Sequence, residues 1–169
     1  YDAARASEVP DIIIKVINDN AAAGTDLVFL IDNTGSMDDD IYEVKTALND
    51  IITKLPASTM LGAATYNDAN EVPSTWYTWE NLTTTYSNIG TFINNIRVYG
   101  GGDYAESVYD GLYQTLDKMS WSSTRKRMII IIGDAPPLEG RLTTYSLKDV
   151  ADKCKALGVA ANLYPILIK

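Results

Sequence analysis

Short uninterrupted apolar runs alternate along this chain with stretches whose apolar residues recur every three or four positions. The runs cover residues 26–31, 60–66, 127–133 and 159–168; Leu27-Val28-Phe29-Leu30-Ile31 and Met128-Ile129-Ile130-Ile131-Ile132 are the plainest. A strand that is apolar at every position is buried on both faces, as the strands of a parallel sheet are. Between the runs, Ile41, Val44, Leu48, Ile51, Ile52 and Leu55 fall at helical spacing and stop at Pro56. Ile89, Phe92, Ile93 and Ile96 predict another helix, and Val108, Leu112, Leu116 and Met119 the next. Further helices are expected over about 8–22, on Val9, Ile12, Ile13, Val16 and Ile17, and over about 145–157. Residues 72–83, rich in Trp, Tyr and Thr, predict an additional strand at an edge.

Strands alternating with helices imply an α/β fold: a doubly wound, mostly parallel central sheet flanked by helices on both faces, with one antiparallel edge strand. Residues 1–169 read as a single domain, with a helical extension over 1–24 and a core over 25–168. The final strand needs a covering helix. Either a C-terminal helix is missing, or the N-terminal helix takes its place.

Composition narrows the chemistry. A net charge of −8 and a pI near 4.4 argue against nucleic acid and favour cations or a basic partner surface. The chain contains no histidine, which removes Ser-His-Asp and Cys-His catalysis and the usual zinc sites. The single cysteine, Cys154, shares a predicted helical face with Leu147, Val150, Ala151 and Leu157 and reads as core. No apolar run approaches the ~20 residues that span a bilayer. Arg125-Lys126-Arg127 reads as a solvated turn ahead of a strand, and Trp76, Tyr77 and Trp79 as cover for an edge strand, with stacking on a partner as the alternative.

The most informative segment is Asp32-Asn33-Thr34-Gly35-Ser36-Met37, directly after the first strand. A carboxylate followed by hydroxyls at alternate positions on a short loop supplies the oxygen ligands that a hard divalent cation such as Mg2+ requires. Gly35 is read as the residue that lets the loop turn sharply. Two other strands also end in acids, at Tyr66-Asn67-Asp68 and at Gly133-Asp134. Ligands of open α/β sheets bind beyond the carboxyl ends of the strands, so three carboxylates are expected at one edge.

With Asp32-x-Thr34-x-Ser36 and, after an Ile-rich strand, Asp134, the chain resembles a von Willebrand factor type A domain from about residue 25 to 168. The Gly-Ser-Met form and Gly100-Gly101-Gly102-Asp103-Tyr104-Ala105-Glu106-Ser107 resemble the branch that includes integrin β-subunit domains and related bacterial members. The resemblance implies a metal-ion-dependent adhesion site in which Asp32, Thr34, Ser36 and Asp134 hold Mg2+ or Mn2+, and Glu106 joins directly or through water. It further implies a neighbouring Ca2+-type site using Asp68 and Asp103, and a third adjacent site at Asp39 and Asp40. Ala105 stands where the family often has Pro, and Gly101 replaces a side chain that often helps bind the second ion. The implied function is binding rather than catalysis: the ion accepts an Asp or Glu side chain of a protein partner. The chain would be a monomeric module of a larger protein, extracellular or at the cell surface.

Plainer readings stand beside these. Asp32 and Asp134 also suit helix N-caps, Thr34 and Ser36 suit loop hydroxyls bonded to backbone, and Asp38-Asp39-Asp40 suit a helix N-terminus. Asp68 reads equally as a turn residue, Asp103 as a loop acid and Glu106 as a first-turn acid. Two other functions are weighed. One is an intracellular scaffold that assembles a protein complex through the same site. The other is an aspartyl-phosphate phosphatase with Asp32 as nucleophile, in which Thr34 occupies the usual acid/base position and no phosphate-binding lysine is evident.

Overall fold

The structure, a computed structural model, describes residues 5–70, 74–102, 104–140, 143–159 and 162–169. Its elements follow the predicted alternation: α1 (Val9–Asn20), β1 (Thr25–Asp32), α2 (Ile41–Ile52), β2 (Met60–Tyr66), β3 (Tyr77–Thr83), α3 (Tyr86–Asn95), α4 (Val108–Lys118), β4 (Lys126–Gly133), α5 (Leu147–Ala156) and β5 (Leu163–Leu167). The strands form one sheet in the order β3-β2-β1-β4-β5. All neighbours are parallel except β2 and β3, so the antiparallel edge strand falls where the aromatic segment predicted it. It begins at Tyr77; residues 71–73, at the start of the predicted run, lie outside the described residues.

The apolar runs are continuous because both faces are covered. Leu27, Phe29 and Ile31 of β1 pack with Met128, Ile130 and Ile132 of β4 beneath α1, α2 and α3. Val28 and Leu30 face the other way, with Ile129, Ile131, Ala64 and Tyr66, beneath α4 and α5. Alternation along each strand thus feeds two cores from one sheet. The helix that shares the first core with Ile166 and Ile168 is α1, whose Val9, Ile13 and Val16 are fully buried and which contacts both α2 and β5. Among the described residues, the N-terminal helix therefore covers the last strand.

Two local readings are corrected. Arg125-Lys126-Arg127 is not a solvated turn. Arg125 Nε lies 2.5 Å from the buried Asp26 carboxylate, Arg127 donates to the carbonyls of Ser122 and Leu157, and Lys126 Nζ donates to Asn20 O at 2.5 Å. At the amino end of the sheet these cations serve carbonyls at the end of α1, in the loop before β4 and at the C-cap of α5, which need donors. On α5, Val150 and Cys154 are buried as expected, but Leu147 and Ala151 are exposed, so the apolar stripe is narrower than its spacing implied. Burial pushes the Cys154 thiol up, away from reactivity.

Candidate metal centre

Parallel pairing sets β1 between β2 and β4, and this register lines up their carboxyl ends. Asp32 stands opposite Tyr66 on one side, and one step past the Ile31–Ile132 pair the neighbour on the other is Gly133. A Cβ added to Gly133 would stand 2.7 Å from the Tyr66 hydroxyl and 3.0 Å from Asp32 Oδ2, so the absent side chain leaves room for both groups over the end of β4.

Asp32 is fully buried. Its Oδ1 accepts from the Thr34 backbone N–H at 2.9 Å and from Thr34 Oγ1 at 2.8 Å. Its Oδ2 lies beside the Tyr66 hydroxyl without a well-aligned hydrogen bond. Burial lifts the Asp32 carboxyl to about 6, helped by the charge of Asp134; the Thr34 bonds and the nearby Tyr66 hydroxyl offset part of the rise. Tyr66 is in turn pushed well up by burial and by Asp32, Glu106 and Asp134.

The two hydroxyls complete a chain of oxygens. Ser36 Oγ donates to Asp134 Oδ1 at 3.0 Å, and Thr34 Oγ1 lies 3.1 Å from Ser36 Oγ. Each hydroxyl has one proton. With Thr34 donating to Asp32 and Ser36 to Asp134, neither has a proton left for the other, and their lone pairs face across that gap. The 3.1 Å spacing is slightly longer than the ~2.9 Å edge of an octahedron built on Mg2+–oxygen bonds of about 2.0–2.1 Å. An uncompensated buried carboxylate oxygen, two hydroxyls with committed protons and a second carboxylate form an all-oxygen set suited to a hard cation. Among the described residues, no three carboxylates gather closely enough to hold a metal by themselves, so a central site depends on the hydroxyls.

Glu106 is buried alongside. Its Oε1 would lie 3.2 Å from a Cβ on Gly101, which would itself stand 3.0 Å from Thr34 Cβ. Gly101 has φ +76°, so the backbone there is left-handed and packed against the site, which leaves no space for the side chain expected from the resemblance. Gly35 is explained differently from the sequence reading. Its N–H donates to Gly100 O at 3.1 Å, and a Cβ would come within 2.7 Å of that oxygen. Close approach of two loops, rather than a sharp turn, is what Gly35 permits.

The residues expected at further sites separate. Asp68 is buried, its Oδ1 accepting from Asn70 N–H at 2.9 Å and from Ser107 Oγ at 3.4 Å. Asp103 lies outside the described residues. Asp39 is exposed on the 3₁₀ turn Gly35–Asp39, and Asp40 is half-buried. Burial raises the Asp40 carboxyl, followed by the charges of Asp134, Asp39 and Glu43.

Three residues outside the candidate set shape the site, two of them by holding its loops together. Asn67 Nδ2 donates to Asn33 O at 3.0 Å and to Tyr99 O at 2.7 Å, while Asn33 Nδ2 donates to Arg97 O at 3.0 Å. Two buried amides thus join the loops after β1, β2 and α3. Tyr66 is the third, the phenol beside Asp32. The only sequence signal for these residues is their position at strand ends.

A five-stranded mixed sheet with helices on both faces and an acidic, hydroxyl-bearing loop at its carboxyl edge defines the class. The von Willebrand factor type A domain model matches residues 26–164, and the chain belongs to that family. It is 31% identical over 121 residues to the alpha-protein kinase vwkA of Dictyostelium discoideum, a match covering 69% of this chain and 19% of the kinase. A crystal structure of the pilus adhesin SpaC from Lactobacillus rhamnosus GG, in an open conformation, has a TM-score of 0.54. That match is 18% identical and covers 67% of this chain and 15% of the adhesin, so it shows the fold alone. The chain thus spans about a fifth of the kinase and less of the adhesin.

Proposed function

We propose that this domain binds a protein partner through Mg2+ or Mn2+ held by Asp32, Thr34, Ser36 and Asp134, with Glu106 alongside. The observation that carries the reading is the buried Asp32 carboxylate, whose Oδ2 lacks a well-aligned hydrogen bond, joined through two hydroxyls to Asp134. When bound, the ion supplies an electrophilic centre that an external carboxylate can complete. The chain's own residues do the rest. Thr34 and Ser36 offer neutral oxygens, so the set keeps part of the ion's charge available to an Asp or Glu side chain of the partner. The loops joined by Asn33 and Asn67 hold these oxygens before the ion arrives.

Asp68 with Asp103, and Asp39 with Asp40, are proposed as adjacent Ca2+ positions. Support for the first is the burial of Asp68 and its contact with Ser107; for the second, the coupling of Asp40 to Asp134. An adhesive role at the cell surface is part of this reading; the pilus adhesin shares the fold. A second reading, a scaffold module inside a signalling protein, is favoured by the relative named as a protein kinase. Surface labelling of intact cells against fractionated lysate separates the two.

The test is isothermal titration of metal-stripped protein with Mg2+, then Ca2+, beside Asp32→Ala. The expected result is Mg2+ binding by the wild type that the variant loses with its far-UV circular dichroism intact. Equal affinity in both proteins would remove Asp32 from the site and the reading with it.

A further inference from the structure

The loop that leaves the sheet at Asp134 runs to the start of α5, and the segment carrying Glu106 grips it at two points. At the near end, Glu106 N–H donates to Pro136 O at 2.9 Å, and Leu138 N–H donates to Glu106 O at 2.7 Å. At the far end lies Asp110, a buried carboxylate one turn along on α4. Its Oδ1 accepts from Tyr145 N–H at 2.8 Å and Thr143 Oγ1 at 3.0 Å, and its Oδ2 from Thr144 N–H at 3.0 Å. Tyr113, the next turn, stacks on Tyr145 with ring centroids 3.6 Å apart and planes 6° from parallel. Asp117 continues the stripe to Lys153 of α5 at 2.6 Å.

We infer that Asp110 is a positioning residue for the ion site: by tying the far end of the Asp134 loop to the segment that bears Glu106, it fixes the placement of two ligands that come from different elements. The inference rests on the metal reading proposed above and deepens it. Both carboxylate oxygens of Asp110 face donors, two of them backbone N–H groups, and a carboxylate is the side chain that accepts at both ends. An amide in its place turns an NH2 group toward one of those donors and loses that bond. The run between Leu138 and Ser146, the capped N-terminus of α5, then loses one of its ties to α4, while the Tyr113–Tyr145 stack remains. Asp134 then leans more heavily on its Ser36 bond and on the Glu106–Leu138 ladder, which opens more often once a tie on the far side is weakened.

The experiment compares wild type, Asp110→Asn and Leu116→Ala. Leu116 is a buried core residue of the same helix, six positions beyond Asp110, so its variant measures plain destabilisation. Two quantities are read at a temperature where all three are folded: the Mg2+ dissociation constant by titration, and the hydrogen-exchange rate of the Leu138 amide in chelator. Asp110→Asn is expected to weaken Mg2+ binding at least fivefold and to speed Leu138 exchange. Leu116→Ala lowers Tm and changes neither. Thr143→Ala removes one donor, keeps the carboxylate and moves both readouts the same way by less, which preserves the test should Asp110→Asn not fold. Wild-type Mg2+ affinity in Asp110→Asn, unchanged Leu138 exchange, or an equal Mg2+ loss in Leu116→Ala would each overturn the role of Asp110. A wild-type protein that takes up no Mg2+ would instead sink the metal reading itself.

Discussion

Ser36 and Asp134, 98 positions apart in the chain, meet through a hydrogen bond of 3.0 Å. The bond closes the edge of the sheet between the loop after β1 and the end of β4. It also turns the Ser36 lone pairs away from the Asp134 carboxylate. Ser36 is exposed, so Ser36→Ala costs the fold less than about 0.5 kcal/mol. Mg2+ binding should weaken tenfold or more in titration while the urea midpoint in chelator stays put.

Asp32→Asn separates metal binding from stability. The folded protein holds Asp32 at about 6 against an ordinary 3.8, so at neutral pH its ionisation is unfavourable in the fold. A neutral amide of the same shape removes that cost. In chelator the Tm should rise by on the order of 5 °C, taking ~2–4 °C per kcal/mol at this length. Added Mg2+ should give the variant no further rise, whereas the wild type gains.

The pH dependence follows with a definite sign. A carboxyl raised in the folded state is protonated there more readily than in the unfolded chain. Its contribution is therefore fully present below about 3.8 and lost as pH climbs through about 6. Asp40 acts in the same direction. Urea midpoints of metal-free wild type and Asp32→Asn, compared at pH 4.5 and 7.5, should diverge at the higher pH in favour of the variant. Curves that stay parallel would contradict a raised Asp32.

Asn67→Ala tests the loop clamp. The side chain is fully buried and serves the carbonyls of Asn33 and Tyr99 at once, so its removal leaves two acceptors without that donor. A loss of about 1–3 kcal/mol is expected. Limited proteolysis should show faster cutting within residues 97–102, with weaker Mg2+ binding as a consequence.

At the opposite pole, Arg125→Met leaves the Asp26 carboxylate, 1% exposed, without its cation. Breaking such a pair costs about 3–5 kcal/mol when the remaining charge stays buried. Equilibrium urea unfolding should show that drop with the Mg2+ affinity of the folded fraction unchanged.

What could be read from the chain divides by distance. Asp32, Thr34 and Ser36 are legible because their spacing is local and follows a strand. Asp134 is legible because a strand end announces an edge position. Tyr66 reaches Asp32 through register and strand face together, and nothing in the run from Met60 to Tyr66 sets it apart from other core residues. Nothing in the sequence distinguishes Asp110 from other acids on a helix. Only the path of residues 143–145 turns it into a buried acceptor. Arg125 misled for the same reason: its partner is 99 positions away. Gly35 was seen, but the oxygen that requires it belongs to Gly100, on another loop.

The central place of β1 has a consequence for the order of folding. Parallel neighbours cannot be joined by a tight turn, so β1 must wait for β2 and then for the far more distant β4 before its carboxyl end is flanked on both sides. Pairings of such long sequence separation carry a loop-closure cost that slows folding. The oxygen cluster draws on the ends of both β1 and β4, so it is complete only when those strands are paired. Uptake of the ion would thus report that the domain is whole.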